Sequence, residues 1–246
     1  MYLHGRGPLY DLPSQCKIVA ALLFVVALVL APREELWVFI ALGSMLVVIA
    51  RIGGVPPGAV CRRLAIEIPL VIGALLLPFV ADGDRVDVLF LSLSREGMWA
   101  AWNMIAKATL GLAATSIILA STEPADLVRG LRRLRFPRVL VEIAGFMVRY
   151  TDVISGEMRR MRIARESRAS DPRWLWQTRA HASSLGTLFI RSYERGERVM
   201  HAMRSRAYSG EMPAPQTLGA TVADWTTVLA VPFVAFCLTV VAVVST

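Results

Sequence analysis

This sequence predicts an all-α membrane protein with about five transmembrane helices and a cytoplasmic module of long helices. Three observations carry that prediction. The chain is 55% hydrophobic with a mean hydropathy of +0.53, well above what a soluble domain usually shows. Several apolar runs approach the roughly 20 residues that a helix needs to cross a bilayer. The charge is also concentrated: residues 158–211 hold twelve arginines against five acids, nearly the whole formal net charge of +8.

The first apolar run, Ile18 to Ala31, follows a short polar start. It has the length of a signal-peptide core, but more spans follow, so it is expected to be a retained helix. Pro32-Arg33-Glu34-Glu35 is a tight turn, and Leu36 to Ala50 is the second span. A glycine- and proline-rich loop from Arg51 to Arg63 leads to the third span, Leu64 to Val80. An acidic loop, Asp82 to Glu96, precedes the fourth, Met98 to Ala120. Arginine in the Arg51–Arg63 loop places that loop and Met1 in the cytoplasm, with Arg33 and the Asp82–Glu96 loop outside.

Ser121-Thr122-Glu123-Pro124 has the pattern of a helix start, a hydroxyl cap followed by an acid and a proline. Leu127, Leu131 and Leu134 then share one face of a short helix that ends at Phe136-Pro137. The stretch from Val139 to Ile154 is apolar enough to span but contains Glu142 and Arg149. Crossing there would put twelve arginines outside, so the expectation is a long helix in the interface or under the bundle. Leu140, Met147, Ile154 and Met161 recur every seven residues, with Ile143, Tyr150 and Ala164 alongside, and mark a packing seam. A second long helix follows Pro172, a linker carries Pro213 and Pro215, and Thr226 to Val243 is the fifth span. The organisation is therefore a four-helix membrane domain (1–120), a cytoplasmic or interfacial long-helix domain (121–212) and a C-terminal transmembrane helix (213–246). In that topology the C-terminus lies outside.

Within the basic segment the triplet Ser167-Arg168-Ala169 recurs as Ser205-Arg206-Ala207, each at the end of a helical run and soon followed by a breaker. Arginine in a last helical turn complements the helix dipole, and a basic surface suits anionic lipid headgroups or nucleic acid. Membrane tethering disfavours nucleic acid. Two identical triplets are more than those general effects require. Paired guanidinium groups suit docking into two equivalent carboxylate-bearing sites, hence a partner that is itself a dimer.

Other chemistry is sparse. Cys16, Cys61 and Cys237 are scattered, as are His4, His181 and His201, so neither a disulfide framework nor a metal site is expected. The only lysines are Lys17 and Lys107, and neither follows a glycine, so the phosphate-binding Gly-Lys-Ser/Thr loop is absent. No serine-hydrolase, zinc-protease or dinucleotide motif is present, and a non-enzyme without a cofactor of its own is expected. Glu67 and Lys107 fall inside predicted spans, where charge is expensive and either functional or locally satisfied.

The run Thr122-Glu123-Pro124 through Leu131-Arg132-Arg133-Leu134-Arg135-Phe136-Pro137, with Arg149-Tyr150, resembles the transmembrane coupling component of energy-coupling factor (ECF) ABC transporters. Met161 to Arg168 and Arg191 to Met203 share that resemblance, as do Glu67-Ile68-Pro69, Leu77 to Val80 and Ser92 to Gly97. It is closest to the cobalt-type CbiQ branch and covers nearly the whole chain. It implies a multi-pass, non-catalytic scaffold in the cell's inner or plasma membrane, coupling a pair of cytoplasmic ABC-type ATPase subunits to a substrate-binding membrane subunit. ATP and Mg²⁺ would belong to the ATPase subunits. The cargo would be cobalt or nickel, with a vitamin transporter of the same type as the alternative. In that family two short Ala-Arg-Gly-like motifs end two coupling helices. By position they fall on Ser167-Arg168-Ala169 and Ser205-Arg206-Ala207, where alanine replaces both glycines and serine both alanines. Ala164-Arg165 is a rival for the first motif. From another class, a stand-alone secondary carrier using Glu67 and Lys107 is the competing expectation.

Overall fold

The computed structural model describes residues 8–56, 58, 63, 65–81, 85–88, 91–168, 178–210 and 220–245. The expected features at His4, Cys61, Ala169, Asp171-Pro172 and Pro213/Pro215 lie outside the described residues. The described chain is overwhelmingly helical: α1 (Pro8–Asp11), α2 (Ser14–Leu30), α3 (Leu36–Ile52), a 3-10 turn (Ala65–Glu67) running into α4 (Ile68–Val80), α5 (Arg95–Ser121), α6 (Pro124–Arg133), α7 (Arg138–Glu166), α8 (Thr178–Arg204) and α9 (Val222–Ser245). Contacts divide it into two units, Met1–Leu134 with Leu218–Thr246, and Arg135–Thr217.

In the first unit α2 is the hub, packed by α9, α5 and α6, while α3 and α4 lie on α5. Small residues let α2 and α9 approach closely. Ala27 and Ala235 are fully buried, and the buried Thr239 hydroxyl reaches across to donate to the Ala27 carbonyl at 3.2 Å. Phe24, Leu28, Val38, Leu42 and Ile117 complete the core. The outer faces are just as apolar, with Leu22, Ile40, Leu76 and Val241 exposed. A helix apolar all round is what a lipid solvent requires. Among the described residues α5 and α9 are long and apolar enough to cross a membrane, and 14–30, 36–52 and 65–80 are shorter apolar helices.

Two local details differ from the sequence expectation. The Asp82–Glu96 loop contains an antiparallel pair, β1 (Arg85–Val88) with β2 (Leu91–Ser94), in the register Arg85↔Ser94 and Val88↔Leu91. The alternation in Arg-Val-Asp-Val carries that strand signal. The expected hydroxyl cap at Ser121-Thr122 is not used: Glu123 holds the cap position of α6 without a side-chain bond, and Pro124 opens the helix. Ser121 closes α5 instead. Lys17, only 5% exposed, competes for these groups. Its ammonium donates to the Ser121 carbonyl and the Thr122 hydroxyl, both at 3.4 Å. A cation at the C-terminal end of α5 also complements that helix dipole.

In the second unit α7 runs unbroken from Arg138 to Glu166, so the ambiguous 139–154 stretch and the basic run after it form one rod, about 44 Å long at 1.5 Å per residue. It packs on α8. Of the seam, Leu140, Ile143, Met147 and Ile154 are exposed in the chain, leaving an apolar face with no cover among the described residues.

Candidate functional site

The Ser-Arg pairs of the two triplets end α7 and α8 with the same hydrogen bonds. On α7, the Ser167 amide donates to Ile163 O at 2.9 Å and the Arg168 amide to Arg165 O at 3.0 Å. On α8, the Ser205 amide donates to His201 O and the Arg206 amide to Met203 O, both at 3.0 Å. Each serine hydroxyl turns back onto an alanine carbonyl one turn earlier, Ser167 to Ala164 and Ser205 to Ala202, again at 3.0 Å. The serines therefore satisfy carbonyls that a helix end would leave open, and both arginines project from the last turn into solvent. Arg165, the rival, is half-buried and engaged within the fold.

Past Arg206 the second end completes a Schellman motif. The Ala207 amide bonds Arg204 O at 3.1 Å and the Tyr208 amide bonds Met203 O at 3.0 Å. Ala207 takes the left-handed conformation this requires, φ 60°. A Cβ is unfavourable there, so glycine would suit this position better than alanine. Ala207→Gly is expected to stabilise this helix end by about 1 kcal/mol. The readout is slower amide hydrogen exchange at Ala207 and Tyr208; faster exchange would contradict the geometry.

Between the two ends, α7 and α8 are joined by Glu157. Its carboxylate, 13% exposed, accepts from Arg191 Nη1 at 3.1 Å on one oxygen and from Arg195 Nη2 at 2.9 Å on the other. The Arg191 hydrogen bond, with the charges of Arg195, Arg191 and Arg160, holds the Glu157 carboxyl below the usual carboxylate range against the opposing effect of burial. A depressed folded pKa means stabilisation that is present above the unfolded value, about 4.3, and lost as pH falls through the folded one. The melting-temperature gap between wild type and Glu157→Gln should be full at pH 7 and 5 and shrink below about pH 4. A gap that instead shrinks on raising the pH towards 8 would contradict the assignment.

The two intramembrane candidates do not meet. Glu67, at the start of α4, accepts from Thr109 Oγ1 on α5 at 3.1 Å. Lys107 donates to the Val29 carbonyl of α2 at 2.8 Å. Each is used to join a different pair of helices. Among the described residues no group of three or more His, Cys, Asp or Glu could hold a metal ion.

These features sit in a sequence with known relatives. The sequence model of CbiQ, described as a cobalt transport protein, matches residues 5–217. The chain belongs to the CbiQ family. The cobalt transport protein CbiQ of Rhodobacter capsulatus is 32% identical over 176 residues, 63% of this chain and 71% of its own length. The energy-coupling factor transporter transmembrane protein EcfT of Thermanaerovibrio acidaminovorans is 27% identical over 224 residues, 85% of this chain and 82% of its own. A putative fused cobalt transport protein CbiMQ of Methanocorpusculum labreanum is 24% identical over 223 residues, 87% of this chain but 37% of the longer protein. This member of the CbiQ family is thus a membrane component of a transporter. Sequence reasoning located the triplets and the polar pair Glu67 and Lys107 but passed over Glu157 and Lys17. Glu157 stood in the sequence as one acid among many arginines, and only the register of α7 on α8 singles it out.

Proposed function

We propose that this chain is the non-catalytic coupling subunit of an ATP-driven ECF-type importer. It joins a pair of cytoplasmic ABC-type ATPase subunits, which bind ATP and Mg²⁺, to a substrate-binding membrane subunit. The observation that carries this reading is the identical construction of the two exposed Ser-Arg helix ends. One surface with two like anchors fits two like sites on a dimeric partner. The fused CbiMQ relative supports a second membrane polypeptide as the other partner, because one chain there carries a CbiQ-like part and more. Cobalt is the proposed cargo, because the family is one of cobalt transport proteins, with nickel as the alternative metal. In this reading α2, α3, the 65–80 stretch, α5 and α9 are five spans, Met1 is cytoplasmic, Thr246 is outside, and α7 and α8 remain on the cytoplasmic side.

Expression of a tagged copy together with the ATPase and membrane subunits tests the assembly. All should co-purify, and cobalt uptake into vesicles should require the complete set and ATP. Uptake by this chain alone would overturn the scaffold reading in favour of a carrier using Glu67 and Lys107. Reporter fusions at the two ends check the topology, and a cytoplasmic C-terminus would mean that the span assignment is wrong.

A further inference from the structure

The ion pair between α7 and α8 joins equivalent positions of the internal repeat. Ser205-Arg206-Ala207 follows Ser167-Arg168-Ala169 by 38 residues, and Ala202 follows Ala164 by the same step. Arg195 follows Glu157 by 38 residues too, and they are bonded at 2.9 Å. Arg160 and Arg198 are a further equivalent pair. Counted from Glu157, these equivalent positions fall at i, i+3, i+7, i+10 and i+11, which is one face of a helix; the closing alanines of the triplets, at i+12, lie off it. When two like helices touch through equivalent residues, the contact lies on the two-fold that relates them. Identical carboxylates would repel at such a point. A glutamate on one helix and an arginine on the other turns the repulsion into a bond.

The register is also particular. Arg191 and Arg195 stand one turn apart on α8 and each takes one oxygen of Glu157. A slide of α8 by one turn in either direction would bring Thr187 or Val199 into the pair and leave a single arginine. Arg198, the other candidate, faces Glu194 on its own helix at 3.8 Å. From the Glu157–Arg195 contact each Ser-Arg end lies ten residues away, about 15 Å along its helix.

We propose that Glu157 is a positioning residue: its bond to Arg195 is the pivot of a local two-fold that holds Arg168 and Arg206 equidistant from one point, so that a symmetric ATPase dimer can engage both. This rests on the docking reading above and adds to it the residue that sets the spacing. Glu157 itself lies eleven residues from Arg168 along its own helix.

The test uses the full complex, in a chain whose three cysteines are replaced. Spin labels go on Ile163→Cys and His201→Cys, which are exposed and equivalent in the repeat. In the wild-type background one narrow distance is expected. Glu157→Gln should broaden it and lower retention of the ATPase subunits about tenfold or more. The exchanged pair Glu157→Arg with Arg195→Glu, made together with Arg191→Gln to remove the like charge that would face the new arginine, should recover most of both, which a general loss of folding would not allow. An unchanged distance distribution in Glu157→Gln overturns the pivot. A broadened distribution with ATPase subunits fully retained overturns its positioning role. If the wild type retains no ATPase subunits, the docking reading fails, while the distance measurement still decides the pivot.

Discussion

Replacing Arg168 and Arg206 together with alanine should abolish ATP-driven uptake and strip the ATPase subunits from the complex, while the membrane unit remains folded. Each single change should weaken association by about 2–5 kcal/mol, the usual cost of removing one side of a desolvated, hydrogen-bonded charge pair. The size follows from the position of the arginines. Both side chains are exposed in this chain, and among the described residues neither guanidinium is hydrogen-bonded within it, which leaves their forked donors for a partner's carboxylate. Arg159 and Arg198 belong to the general basic surface. Arg198 is 69% exposed and pairs within its own helix. Their alanine variants should cost little and only at low salt. Co-purification of the ATPase subunits across a salt series separates the two groups. Equal, small losses at all four positions would leave a basic surface for lipid and remove the docking reading.

The helical architecture was legible because lipid imposes it: apolar runs of bilayer length admit few other structures. The triplets were legible because a repeat needs no knowledge of tertiary contacts. What the sequence concealed lies in side-chain competition and in helix register. Ser121 and Thr122 look like a cap for the helix after them, and the buried Lys17 from α2 claims them for the helix before. The period-seven seam on α7 marks a face that wants cover, but periodicity carries no information on whether that cover is intramolecular. Leu140 and Met147 remain exposed. The Glu157 pair depends on which turn of α8 meets α7, a relation that no local pattern encodes.

Close approach between helix backbones was hidden in the same way, because one glycine in a chain resembles another until its neighbours are known. Gly97 sits in the first turn of α5, where its amide donates to the cap residue Ser94 at 3.3 Å. A Cβ there would lie 2.7 Å from Pro78 Cα and 2.8 Å from Leu77 O at the end of α4. Those atoms are backbone, so no rotamer change can make room. Gly97→Ala must push α4 off α5, at a cost of about 3 kcal/mol, the upper end for overpacking, with the Ser94 cap, about 1 kcal/mol, at risk as well. The same displacement would pull Glu67 at the start of α4 away from Thr109. Gly73 is the internal control. It lies on α4, and a Cβ there would meet nothing within 4 Å. Gly73→Ala should be neutral or stabilise by up to about 1 kcal/mol through helix propensity. Gly53 stands between them, since its closest obstruction at 2.8 Å is the flexible Leu9 side chain. Melting temperatures of the three detergent-solubilised variants should therefore fall in the order Gly73→Ala, Gly53→Ala, Gly97→Ala. A Gly97→Ala protein that melts with the wild type would show that α4 and α5 do not approach as closely as their backbones are placed.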